Sequence, residues 1–217
     1  MPLQRAFDLP IETGFSGADF LVSGSNREAF ERIERWPDWS APALVLHGPA
    51  GSGKTHLAHL WCVRAAGSLT AGTAIGDAPP PCDAALAIDA ADEAPEEPLL
   101  HAYNSALERG ASLLLTMRAP PASLPIKLPD LASRLRSLPV VGIAPPDDAL
   151  LGAVLVKHFA DRQIRVAPEV IAFLVARIER SFAGAASVAA RLDAAALAAA
   201  RPITIKLARD VLPELAG

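Results

Sequence analysis

Apolar residues follow two rhythms along this chain. Four short runs are continuous: Ala43-Leu44-Val45-Leu46, Ala84-Ala85-Leu86-Ala87-Ile88, Ser112-Leu113-Leu114-Leu115-Thr116 and Val140-Val141-Gly142-Ile143. Uninterrupted runs of this length predict strands buried on both faces, as in a parallel sheet. Elsewhere the spacing changes to three and four. Ser25 followed by Glu28 reads as a capping box opening a helix that carries Phe30, Ile33 and Trp36, closed by Pro37 and Pro42. A second helix opens at Thr55 with Leu57, Leu60, Trp61 and Val63 and stops at Gly67, and a third covers about 98–109. Residues 68–83 give only a weak strand and a loop through Pro79-Pro80-Pro81. Beyond Pro145-Pro146 the strand rhythm ceases, and helices are predicted over 147–162, 168–181, about 184–200 and 204–215, the last capped by Thr204. Residues 1–24, with Pro2, Pro10, Gly14 and Gly17, read as an extended arm.

Strands alternating with helices predict an α/β fold, a mostly parallel sheet flanked by helices, followed by an all-helical C-terminal region. The expected organisation is an arm over 1–24, an α/β core over 25–145 and a helical region over 146–217. Composition agrees: 217 residues, 51% hydrophobic, are enough for a substantial core. A formal net charge of −4 argues against a protein that grips nucleic acid directly, so a DNA partner is expected to be indirect. Cys62 and Cys82 lack CxxC spacing, which excludes a thiol redox motif or zinc knuckle and leaves a reduced pair favoured over a disulfide. With no signal peptide and no membrane-spanning run, a cytoplasmic protein without membrane contacts is expected.

The chemistry concentrates between the first strand and the helix after it. Gly48-Pro49-Ala50-Gly51-Ser52-Gly53-Lys54-Thr55 satisfies GxxxxGK(S/T) in full. Three glycines allow the backbone to wrap with its N–H groups turned toward a phosphate at a helix N-terminus. Lys54 is expected to reach the β- and γ-phosphates, with Thr55 holding magnesium and His56 beside them. The companion acid should end another buried strand, and Asp89 does, as a Walker B carboxylate in the magnesium shell. The next position, where many ATPases place a second acid to activate water, is Ala90, while Asp92 and Glu93 stand at the wrong offset. Near the third strand's end, where a polar phosphate sensor is often kept, Thr116 is the polar candidate. His47, His56 and His59 form no metal-ligand pattern, and Trp36, Trp39 and Trp61 read as packing residues.

With these residues in view, the chain resembles the DnaA family of AAA+ ATPases, and its short Hda-like members above all. The likeness runs through Phe20-Leu21-Val22, the loop GPAGSGKTHL at 48–57, LPDLASRL at 128–135 and PITIKLARDVL at 202–212, the last similar to the family's closing lid helix. It implies an AAA+ core with a helical lid, ADP or ATP with Mg as cofactors, and the DnaA initiator and the DNA polymerase sliding clamp as partners. Such proteins lack the helix-turn-helix domain of the initiator and, with the clamp on DNA, prompt the initiator to hydrolyse its ATP. Arg134 matches the family's arginine finger, acting in trans on a neighbouring subunit's ATP, with Arg136 as a second candidate. Gln4-Arg5-Ala6-Phe7-Asp8-Leu9-Pro10 is similar to clamp-binding peptides. There Gln4 hydrogen-bonds at a pocket rim while Phe7 and Leu9, followed by Pro10, fill an apolar cleft; Arg5 departs from the usual aliphatic residue. Another departure is the segment SFAGAASVAA at 181–190, which lacks the lid's sensor arginine, Arg180 and Arg191 being out of register. With Ala90, this points to a nucleotide-binding regulator with weak or no ATPase of its own. The alternatives are a self-sufficient ATPase such as a helicase loader, or a non-catalytic clamp adaptor; among partners, a second copy of the chain in a homo-oligomer is also expected.

Overall fold

A computed structural model describes residues 12–14, 20–78, 80 and 84–212. The chain divides into two compact units, one spanning Asn26–Pro145 and the other joining the segment up to Ser25 to the chain from Pro146 onward.

The first unit is an α/β layer structure. Strands β3 (Ala43–His47), β4 (Ser68–Ala71), β5 (Ala85–Asp89), β6 (Ser112–Met117) and β7 (Val140–Gly142) form one parallel sheet in the order β4-β5-β6-β3-β7. Register pairs Leu46 with Thr116, His47 with Met117 and Ala71 with Asp89, so the ends of the strands carrying candidate chemistry lie along one sheet edge. Helices α1 (Arg27–Glu34), α2 (Lys54–Arg64), α3 (Glu96–Glu108) and α4 (Pro129–Ser137) complete this unit. Leu113, Leu114 and Leu115 are all fully buried, the two-sided burial that a continuous apolar run requires. On α2, Trp61 is fully buried; Trp39 stacks on it at 5.3 Å and Trp36 meets it edge-on at 6.2 Å.

The second unit holds two three-residue antiparallel strands, β1 (Glu12–Gly14) and β2 (Phe20–Val22), and helices α5 (Asp148–Asp161), α6 (Pro168–Val175), α7 (Phe182–Ala198) and α8 (Ile205–Val211). Phe20 and Val22 are buried, and β2 packs on α5. The helices share a core of Leu155, Phe159, Leu174, Val188, Leu192 and Leu207. Side chains cap three of them: Asp147 accepts from the Leu150 amide, Ser181 from that of Gly184 and Thr204 from that of Leu207.

Several local expectations are corrected. Asn26, not Ser25, precedes the first turn of α1, and no side-chain capping bond forms there; Ser25 Oγ lies 2.8 Å from Ser23 Oγ instead. That helix ends before Trp36, whose indole N–H donates to Ser112 Oγ at 3.0 Å. Helix α6 is shorter than its apolar pattern suggested, and α4 occupies a stretch for which the periodicity predicted no element. The weak strand at residue 68 is a true edge strand, paired only with β5.

Candidate functional site

β3 delivers the chain into the glycine-rich loop at the sheet edge. The Gly48 amide donates to the Met117 carbonyl at 3.1 Å and the Ile143 amide to the His47 carbonyl at 2.7 Å, fixing the loop's base to both neighbouring strands. A Cβ at Gly48 would lie 2.3 Å from the Ile143 carbonyl oxygen, so no side chain fits. Gly53 then takes φ +94° as the residue before α2, a left-handed turn that glycine adopts without strain. Gly51 is likewise left-handed, and Pro49 and Ala50 sit exposed at the loop's crest.

Lys54 and Thr55 open α2, with His56 exposed on the same turn. Lys54 Nζ donates to the carbonyls of Gly48 and Pro49, both at 2.7 Å, folding over the loop it belongs to. Burial holds its pKa below the usual lysine value against the pull of Asp89 and Asp92, and Arg118 adds to the depression. His47 is also shifted down, by burial first and by Lys54 second.

Asp89 ends β5 beside the loop. Thr55 Oγ1 donates to its Oδ2 at 2.9 Å, and Thr116 Oγ1 donates to its Oδ1 at 2.5 Å. Thr116 also accepts from the Ala90 amide at 2.9 Å and has no exposed surface. Its hydroxyl thus bridges the Asp89 carboxylate and the Ala90 amide and orients the acid. Ala90 stands in the left-handed region at φ 52° and offers no acid. Asp92 and Glu93 turn to Arg118: the Arg118 amide donates to Asp92 Oδ2 at 3.1 Å, and its guanidinium donates to Glu93. Nothing in the spacing singles out Arg118; only its place directly after a buried strand beside the loop strand would have marked it.

The residues present suit a magnesium nucleotide. A hydroxyl and a carboxylate, the hard oxygen donors that magnesium prefers, are in hydrogen-bond contact at Thr55 and Asp89. Within the loop, Ser52 Oγ is buried without a hydrogen-bond partner, a polar atom waiting for one. Among the described residues, no group of three or more His, Cys, Asp or Glu side chains gathers as a metal site.

Arg134 lies on α4. Its Nε donates to Asp130 at 3.0 Å, and its guanidinium lies 5.9 Å from the Tyr103 ring centroid. Glu96, in the first turn of α3, accepts from the amides of Lys127 and Leu128 at 2.9 and 2.6 Å, fixing the entry to α4. Arg136 is exposed on the same helix. Gln4, Phe7, Leu9 and Pro10 lie outside the described residues. Arg180 pairs with Asp148 at 2.7 Å, one residue before the cap of α7, and Arg191 lies well inside that helix. Cys62 is a free, buried thiol pushed up to about 11 by desolvation, with an inert environment. No described helix is long and apolar enough to cross a membrane.

A parallel sheet in this strand order, with a phosphate loop leaving β3 and a separate helical unit after β7, defines the AAA+ class of P-loop folds. Residues 148–212 match the family model described as Hda, lid domain. The chain is 30% identical over 129 residues to the chromosomal replication initiator protein DnaA of Thermomicrobium roseum, covering 58% of this chain and 27% of that protein. Domain III of the Thermotoga maritima initiator DnaA superposes with a TM-score of 0.74 at 16% identity, covering 94% of this chain and 99% of that one. AMPPCP-bound DnaA from Aquifex aeolicus gives 0.60 at 17% identity, over 74% and 59%. The structural likenesses speak to fold alone; in sequence, residues 148–212 are similar to the Hda lid domain and 129 residues are similar to a DnaA initiator. The chain spans about a quarter of the length of the initiator it matches.

Proposed function

We propose that this chain is a nucleotide-binding regulator of a DnaA-type initiator, binding ADP or ATP with magnesium and prompting the initiator to hydrolyse its own ATP. The observation that carries this reading is the union of a complete phosphate loop, closed on Asp89 through Thr55, with an Hda-type lid in one chain. Gly48–Thr55 would cradle the phosphates, and Lys54 would exchange its two loop carbonyls for phosphate oxygens, a stronger charge-assisted contact. Thr55 and Asp89 would hold magnesium, which screens phosphate charge when bound.

Arg134 acts outward. Its guanidinium would stabilise charge on the γ-phosphate held by a neighbouring initiator subunit. Ala90 supports the same division of labour, because the position following the Walker B acid carries no group to activate water. The segment Gln4–Pro10 would dock on the sliding clamp, giving indirect contact with DNA.

Loss of initiator-bound ATP, followed with and without this chain and clamp-loaded DNA, tests the reading. Acceleration that requires both additions is expected; an unchanged rate contradicts it. A clamp pull-down in which Gln4→Ala and Phe7→Ala retain full binding would remove the arm from the account. Steady-state turnover of the chain alone at about 1 s⁻¹ or faster would favour the self-sufficient ATPase.

A further inference from the structure

Helix α4 begins without a cap of its own. Its N-cap position is Leu128, which makes no side-chain capping bond, and Pro129 follows with no N–H to offer. The carboxylate that serves this end comes from α3 instead. Glu96 Oε1 accepts from the Lys127 amide at 2.9 Å and Oε2 from the Leu128 amide at 2.6 Å. Bonds from one carboxylate to two successive amides fix direction as well as position, and the charge stands where a helix N-terminus favours an anion. About two turns further along the same face of α3, the Tyr103 ring lies 5.9 Å from the Arg134 guanidinium. One helix therefore ties down the entry to α4 and meets the arginine in its last turn. Leu131 and Leu135 are buried in the core that also takes in Leu99 and Tyr103 of α3, so Arg134, next to Leu135, moves only as α4 moves.

We propose that Glu96 is a positioning residue for Arg134, setting the place and direction from which the guanidinium leaves α4 toward an acceptor on another chain. Glu96 touches no reacting group and acts through α4. A shift of about 1 Å at a reacting group can cost on the order of 100-fold in rate, so an anchor at the start of the helix governs what the arginine at its end achieves. Affinity for the partner does not pass through this anchor. This inference rests on the reading of Arg134 given above.

Loss of initiator-bound ATP, titrated with the full chain in the presence of clamp-loaded DNA, tests it. Glu96→Ala is expected to lower the maximal rate about 10- to 100-fold, while the concentration giving half the effect and the affinity for ADP stay within about twofold. Glu96→Gln, which keeps a neutral oxygen for one of the two amides, should recover most of that loss and fall only about threefold below wild type. In the free protein, the Arg134 Nε–H resonance is expected to shift in Glu96→Gln. Maximal rates equal to wild type in both variants, a loss confined to the half-effect concentration, or an unmoved Arg134 resonance overturns the role of Glu96 and leaves the regulatory reading standing. If Glu96→Ala does not fold, the rate and resonance of Glu96→Gln decide by the same outcomes. Wild-type protein that gives no acceleration overturns the regulatory reading, and this inference with it.

Discussion

At the phosphate loop, the polar groups are spent on one another, whereas on α4 the arginine is held by one well-exposed carboxylate and a distant contact with the buried Tyr103 ring. Thr116 is fully buried, and its bonds to Asp89 and the Ala90 amide set the acid's direction. Hydrogen bonds to a charged group contribute about 1.5–3 kcal/mol each, and one left broken in a buried place costs at least as much. Arg134 has an i,i+4 partner in Asp130, with side-chain exposures of 41% and 54%, and a distant face of Tyr103. Such contacts are together worth about 1 kcal/mol. The difference is one of how firmly each side chain is held. The loop is preorganised for a ligand of its own, at fixed geometry, while Arg134 can leave its partners cheaply for an acceptor outside the chain.

Four changes would break or sharpen that contrast. The largest effect belongs to Arg134→Ala, expected to reduce stimulation of initiator ATP loss by about 10³-fold, the lower range for an arginine finger. The same variant should bind ADP within about twofold of wild type, as titration calorimetry would show; a matching loss of ADP affinity would erase the distinction. Next comes Lys54→Ala, predicted to weaken ADP by about 100-fold or more, with the melting temperature of the nucleotide-free protein nearly unchanged. Smaller again is Thr116→Val, which keeps the shape but strands the Ala90 amide and one oxygen of Asp89. Its expected cost is about 1–3 kcal/mol in denaturant unfolding, with magnesium-dependent nucleotide affinity lowered by about tenfold.

The smallest effect concerns the support of α4. The amides of Lys127 and Leu128 hold the Glu96 carboxyl below the usual carboxylate range. A carboxyl whose pKa is lower folded than unfolded stabilises the folded state above its unfolded pKa, and that contribution disappears as pH falls through the folded value. Glu96→Gln should therefore lower the melting temperature by no more than a few degrees at pH 7, and the two proteins should converge in acid below the carboxylate range. A difference that persists there would show that Glu96 acts through packing rather than charge.

Much of this was legible in the chain because burial leaves a strong signature. The runs that became β3, β5 and β6 are apolar on both faces because both faces are covered. β4 was faint for the opposite reason: at the sheet's edge Leu69 and Ala71 are exposed, so its residues alternate and include Ser68 and Thr70. α4 buries only Leu131, Ala132 and Leu135, too few for a periodicity to stand out after a proline-rich stretch. Ser25 and Glu28 had the right spacing for a capping box, but the helix starts one residue later and local spacing cannot reveal that. At the site, the loop residues and Asp89 could be picked out because phosphate and magnesium chemistry restrict residue type and interval. The contacts of Thr116 and Arg118 depend on which strands lie side by side, a tertiary fact with no fixed sequence interval.

The central claim is that catalysis assisted by this chain happens on another protein's nucleotide. It is tested most directly by loading the initiator with labelled ATP and this chain with AMPPCP, then following the label in a single turnover with clamp on DNA. The account predicts that labelled ATP becomes ADP faster with wild-type protein and at the unassisted rate with Arg134→Ala. Acceleration that survives Arg134→Ala, or that requires hydrolysable nucleotide on this chain, would contradict it.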